Sequence, residues 1–242
     1  MILHSLSRKF SNLLAFTTTR EDFGTLLPGF NGPANLKNRE KLAGMLDMPV
    51  SCLVFPEQTH SANVTVVELP VRDGIPDTDA LVTCLSGVCL CIQTADCVPL
   101  LFYDPEKKVA GAAHAGWRGT LAGISAMTIK RMESVYGCRP SSIHAVIGPS
   151  IGPAVYETGH EVASLFMEKY PGRADFLKMG SNGKYYLNLW KANAFQLSAA
   201  GLKLENTEIT EQCTFESAGL FFSARREGVA TGRMVSGIMR NR

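Results

Sequence analysis

Two runs of this chain carry apolar residues straight into reactive side chains. Val88-Cys-Leu-Cys-Ile-Gln93 continues into Thr94-Ala-Asp96-Cys97, and Val109-Ala-Gly-Ala-Ala113 ends on His114. A thiol and an imidazole at the ends of neighbouring buried strands, beside small residues that let a ligand approach the backbone, have the makings of a site. His60 joins them from a polar stretch, Glu57-Gln-Thr-His60-Ser61, between two apolar runs. A loop is expected there, and packing gives a histidine no reason to sit in it. Two imidazoles and one thiolate form a three-ligand set for tetrahedral zinc with the fourth position open, as catalytic zinc requires. Zinc would deprotonate Cys97 and acidify a bound water. Without a cation, Asp96 beside Cys97 would favour the protonated thiol; a bound cation removes that objection. The three residues lie too far apart for a local zinc signature, so the fold must bring them together. A metal-free Cys97/His114 nucleophile and base fits the same residues. So do a small buried core thiol and a hydrogen-bonded core histidine.

Other segments frame a pocket. Gly116-Trp-Arg118-Gly119 falls where a strand gives way to a helix, so backbone N–H groups and a guanidinium could hold a phosphate, or the Trp could pack and the Arg be solvated. Ile147-Gly-Pro-Ser150-Ile-Gly-Pro153 is a rigid turn whose Ser150, with nearby Tyr156, could line a pocket. Arg225, Arg226 and Arg233 form a second anion grip or a solvated basic face.

These side chains need a scaffold. Apolar runs at residues 13–17, 51–55, 64–69, 80–83, 88–93, 98–103, 109–114 and 143–147 predict strands, with two more at 184–188 and 219–223. Helical periodicity marks residues 35–46, 119–136, 160–170 and 189–200, with Gly137 and Gly201 at the stops. Residues 28–33 read as a loop. Strands outnumber helices and mix hairpin with crossover connections, which predicts a layered α/β protein with mixed sheets rather than a doubly wound parallel one. No repeat or linker divides the chain, so residues 1–242 read as one domain.

Composition narrows the function classes. Lys and Arg number 24 against 22 Asp and Glu, a net charge of +2, too balanced to predict nucleic-acid or membrane-surface binding. No window reaches the ~18 apolar residues of a membrane span, and no signal-type start appears, so a cytoplasmic protein is expected. The seven Cys follow no secreted framework and are expected to be reduced.

Taken in order, several segments resemble the YfiH family, also called the multicopper polyphenol oxidase or laccase-domain family. They are Thr18-Thr-Arg20, Asn38-Arg39, Gln58-Thr-His60, Thr94-Ala-Asp-Cys97-Val-Pro, Ala113-His-Ala-Gly-Trp-Arg-Gly119, Ile147-Gly-Pro-Ser-Ile151, Phe222-Ser-Ala-Arg225 and Thr231-Gly-Arg233. The resemblance covers essentially the whole chain. It implies a four-layer α/β/β/α sandwich, similar to that of a bacterial deamidating toxin with a Cys/His dyad, and a zinc site at His60, Cys97 and His114. It further implies a purine nucleoside phosphorylase acting on adenosine, inosine or S-methyl-5′-thioadenosine, in which phosphate attacks the ribose C1′, and an adenosine deaminase activity. Copper-dependent phenol oxidation and a Cys/His hydrolase are the alternatives that the resemblance brings. Within it, Asp96 is the candidate to orient a ligand or accept a proton, and Arg118, Arg225 and Arg233 are candidates for phosphate. The chain departs from the family's pattern after its first Thr-Arg, where residues 21–31 replace a Gly-Gly-Val-Ser-like turn, so specificity is open to differ there.

Overall fold

A computed structural model of the chain describes residues 1–23, 35–71, 74–172, 174–180 and 183–241. The chain opens with β1 (Ile2–Leu3), α1 (Ser5–Lys9), β2 (Leu13–Thr17), α2 (Arg20–Phe23) and α3 (Leu36–Met45). Next come β3 (Leu53–Val54), β4 (Val64–Val66), β5 (Ala80–Thr83), β6 (Cys89–Thr94), β7 (Val98–Asp104) and β8 (Val109–Ala115). Helices α4 (Trp117–Ala122) and α5 (Ile124–Tyr136) precede β9 (His144–Ile147), β10 (Glu157–Thr158) and α6 (His160–Lys169). The chain closes with β11 (Leu177–Met179), β12 (Tyr185–Leu187), α7 (Leu189–Ala199), β13 (Thr207–Ile209), α8 (Ala224–Glu227) and β14 (Met234–Arg240).

A six-stranded sheet runs in the order β13-β9-β7-β8-β5-β4, and a five-stranded sheet in the order β1-β2-β14-β6-β3; β10-β12-β11 form a small third sheet. Both large sheets are mixed: β13/β9, β4/β5 and β3/β6 pair in parallel, and the other neighbours are antiparallel. Strand alternation assigns the layers. On β7, Val98, Leu100 and Phe102 pack toward α5 and α7, while Leu101 and Tyr103 join the core between the two sheets. On β6, Leu90 and Ile92 enter that inter-sheet core, and Cys89 and Cys91 pack with Leu42 and Ala43 of α3 on the far side. The result is helix, sheet, sheet, helix. Strands covered on both faces read as continuous apolar runs, which is why β6, β7 and β8 stand out in the sequence.

Four expectations change, the first being the strand over residues 51–55: Val50–Cys52 form a 3-10 turn and only Leu53–Val54 pair as β3. The helix expected over residues 119–136 is two helices: Gly123 at φ +91 caps α4, its N–H bonding Gly119 and Thr120 carbonyls, before α5 starts at Ile124. Residues 219–223 are a turn leading to the Ser223 N-cap of α8 rather than a strand. The strand expected over 64–69 ends at Val66. Strand β14, at the centre of the five-stranded sheet, was not signalled: Ser236 and Gly237 break its apolar pattern. A Cβ on Gly237 would lie 2.5 Å from Phe16 Cζ, so the packing of β2 on β14 excludes any side chain there. The loop expected at 28–33 lies outside the described residues. Among those described, no helix is long and apolar enough to cross a membrane.

Candidate metal centre

The centre forms at one end of the inter-sheet layer. Residues 95–97 carry the chain from β6 in one sheet to β7 in the other, with Cys97 at the crossing. His114 lies near the end of β8, on the face that Ala110 and Ala112 turn to the inter-sheet core. Antiparallel pairing sets Ala80 of β5 opposite Ala113 of β8, which leaves Asp79 beside His114; the His114 N–H donates to the Asp79 carbonyl at 2.7 Å.

Asp79 organises both histidines. Fully buried, its carboxylate accepts hydrogen bonds from His114 Nδ1 at 2.8 Å, from the backbone N–H groups of Thr59, His60 and Ser61 at 3.0, 3.0 and 2.7 Å, and from Ser61 Oγ at 2.8 Å. Burial alone would raise the Asp79 pKa, but the bonds from His114 and Ser61 outweigh it and hold the group well below the usual carboxylate range. An ionised carboxylate can only accept, so Nδ1 of His114 carries a proton and Nε2 is left for the site. His60 adopts φ +63, a conformation that residues with a Cβ seldom occupy. Three successive N–H groups gathered on one carboxylate hold it there. Gln58 completes the anchorage: its carboxamide donates to the Gln93 carbonyl and accepts from the Gln93 N–H, both at 2.8 Å, as a further strand residue would beside β6.

The three ligand atoms of His60, Cys97 and His114 lie within 4.8 Å of one another. The imidazole rings stand edge to face, with centroids 4.8 Å apart. His60 is exposed, Cys97 half-buried and His114 buried, so the cluster opens to solvent on the His60 side. Burial would push the Cys97 thiol up, yet the positive His114 ring and its hydrogen bond, with help from His60, pull its pKa down; His114 is raised in turn, against burial, by Cys97 and Asp79. Without a cation, Cys97, His114 and Asp79 therefore form a chain in which the charged forms of the thiol and the imidazole favour each other.

The residues fit a metal ion. Tetrahedral zinc, with bonds of about 2.0–2.3 Å, needs its N and S ligands about 3.5 Å apart, so a contraction of about 1 Å closes the set. A glycine keeps the space open: a Cβ on Gly116 would meet both Cys97 Sγ and His60 Cδ2 at 3.0 Å. Asp79 also orients His114, as carboxylates orient zinc-bound histidines.

Most of the remaining expected residues are held by bonds of their own. Asp96, at φ +94, accepts from Thr214 Oγ1 at 2.6 Å, Ser223 Oγ at 3.0 Å and the Arg225 N–H at 2.7 Å, while its carbonyl accepts from the Ile151 N–H at 2.9 Å. Its carboxylate thus fastens the C-terminal segments to the residue before Cys97. The Arg118 guanidinium stacks 4.3 Å from the Trp117 ring and is exposed. Arg225 sends Nη1 to the Glu157 carbonyl at 2.9 Å and lies 5.2 Å from the Tyr156 ring. Arg233 spends its donors on the carbonyls of Val229, Thr231 and Gly232. Ser150 is buried, accepting from Trp190 Nε1 at 2.6 Å. Asp79 was not singled out in the sequence, because Asp77-Thr-Asp79 before a strand reads as ordinary turn chemistry. The available signal was position: a carboxylate directly ahead of a strand that pairs with the strand of His114.

Residues 33–241 match the family described as multi-copper polyphenol oxidoreductase laccase. The chain belongs to this family. Among its relatives is a purine nucleoside phosphorylase of Bacteroides thetaiotaomicron, 36% identical, with the match covering 95% of this chain and 92% of that protein. A protein named adenosine deaminase RL5, from an unknown prokaryotic organism, is 35% identical over 85% of this chain and 81% of its own. The crystal structure of YlmD from Geobacillus stearothermophilus superposes with a TM-score of 0.88 at 33% identity, covering 96% of this chain and 93% of that one. The family's fold and the layered sandwich described above are the same.

Proposed function

We propose that this protein is a metal-dependent purine nucleoside phosphorylase with adenosine deaminase activity. The observation that carries the reading is the convergence of His60, Cys97 and His114 around the space left by Gly116, in a chain that shares 36% identity over 95% of its length with a purine nucleoside phosphorylase. Zinc suits two imidazoles and a thiolate with an open position, and copper is the alternative metal. When bound, such an ion polarises a phosphate oxygen or acidifies a water.

The chain's own residues supply the rest. Asp79 fixes the His114 tautomer and the His60 backbone, and the cluster opens to solvent on the His60 side. In phosphorolysis a phosphate oxygen bonds to the ribose C1′ as the glycosidic bond breaks, and its electron pair leaves with the purine, which takes up a proton. Arg118, Arg225 and Arg233 are the candidates for the phosphate, and Asp96 holds Arg225 in place through its N–H. Adenosine, inosine and S-methyl-5′-thioadenosine are the substrates proposed, in the cytoplasm, with residues 1–242 acting as one catalytic domain. The test is metal analysis of the purified protein with chromatography after incubation with adenosine and inosine, with and without phosphate. Stoichiometric zinc, with free base appearing only when phosphate is present, is the expected result. A well-folded Cys97→Ala protein that retains metal and full activity would overturn it.

One observation favours a second reading. Asp79, His114 and Cys97 line up as carboxylate, imidazole and thiol, the order of a cysteine hydrolase. Metal-free protein that cleaves amides or esters, with chelators leaving the rate unchanged, would establish it.

A further inference from the structure

Of the three arginines named for phosphate, Arg225 and Arg233 differ in their free valences. Arg233 has both terminal nitrogens on backbone carbonyls, and its guanidinium is half-buried. Arg225 has one bond, from Nη1 to the Glu157 carbonyl, and among the described residues nothing accepts from its Nε or Nη2. Its backbone is fixed, because its N–H bonds the carboxylate of Asp96, the residue next to Cys97. Beside this guanidinium lies Tyr156, half-buried, whose hydroxyl likewise has no partner among the described residues. Tyr156 is held in its turn: its N–H bonds the Gly152 carbonyl at 3.1 Å, its carbonyl accepts from the Leu187 N–H at 3.0 Å, and Ile151 is tied to Asp96. Cys97, Arg225, Asp96 and Arg118 are near enough for their charges to act on the phenol. Burial, the largest of these influences, keeps it a neutral donor.

We propose that Tyr156 and Arg225 form the phosphate-binding arm of the site, the open edge of the Arg225 fork and the Tyr156 hydroxyl both donating to the oxyanion. This rests on the phosphorylase reading and names the residues that serve its second substrate. A planar fork paired with a neutral O–H suits the several acceptor oxygens of a phosphate better than a nucleoside, which offers no charge for a guanidinium to meet. Asp96 serves as the positioning residue: it sets the Arg225 backbone and, through its carbonyl, the segment that carries Tyr156.

The test titrates inorganic phosphate into the metal-loaded protein by calorimetry, and measures KM for phosphate and for nucleoside separately. Arg225→Lys is expected to weaken phosphate binding at least about tenfold, because a lysine cannot reproduce a two-pronged contact. Tyr156→Phe is expected to weaken it about tenfold through one lost bond to a charged ligand. In both, the KM for nucleoside stays within about twofold, a split that general loosening of the fold would not give. Arg225 is exposed and Tyr156→Phe removes one unpartnered oxygen, so both variants should keep the wild-type melting temperature. Phosphate affinity unchanged in both variants, or no phosphate binding by the wild-type protein, overturns the proposal. Weakened phosphate binding without cleavage of any nucleoside would uphold this arm and remove the phosphorylase reading instead.

Discussion

Replacing Asp79 by Asn tests whether one buried carboxylate holds the whole centre. Every group that approaches it is a donor: His114 Nδ1 and the His60 N–H on one oxygen, and the N–H and hydroxyl groups of Thr59 and Ser61 on the other. An amide of the same shape must turn its NH2 toward one of these sets. In the cheaper orientation two donors lose their acceptor, and at about 1–3 kcal/mol for each unsatisfied buried group the fold loses about 2–6 kcal/mol. Metal affinity should fall as well, because Nδ1 of His114 loses its anionic partner and His60 loses the bonds that keep it at φ +63. Loss of such an orienting group typically weakens binding 10- to 100-fold, about 1.4–2.8 kcal/mol. Competition with a chromophoric chelator measures the affinity, and urea unfolding of the metal-free protein measures the stability. A variant that binds metal within twofold of wild type and unfolds within about 0.5 kcal/mol of it would refute the assignment of both roles to Asp79.

Two further outcomes follow from the same geometry. Gly116→Ala should weaken metal binding at least about tenfold while leaving the melting temperature nearly unchanged, since φ −67 and ψ 176 suit alanine but its Cβ would sit 3.0 Å from Cys97 Sγ; zinc titration with parallel thermal melts checks this. His4 gives a pH dependence: it is buried, bonded to Thr17 Oγ1 at 2.8 Å, and burial lowers its pKa from 6.5 to about 4. Between those values the unfolded chain takes up a proton that the folded one refuses, so stability falls by up to about 3 kcal/mol as pH drops from 6.5 to 4 and levels off below. His4→Gln should flatten that part of the urea-unfolding profile.

The parts legible in the sequence are those whose physics is local. Strands β6, β7 and β8 announce themselves because both faces are buried, and Cys97 and His114 stand out as reactive groups at the ends of such runs. His60 is legible because a polar loop gives it nothing to pack against. What stayed hidden depends on partners distant in the chain. Asp79 has meaning only once β5 lies against β8, and β14 takes its central place because Phe16 packs into the gap at Gly237. The break between α4 and α5 hides for a different reason, since Gly123 interrupts a helical period that continues on either side.

The ligands are divided between the two sheets. Cys97 spans the passage from β6 to β7, His114 belongs to the six-stranded sheet, and the loop of His60 is moored to β6 through Gln58 and to β5 through Asp79. An ion held here works as a cross-brace, and the two halves of the sandwich cannot slide past each other without releasing it. By mass action, free metal at a thousand times its dissociation constant adds about 4 kcal/mol to the folded state. With an ion bound there, metal supply would set the stability of the fold as well as the completeness of its centre.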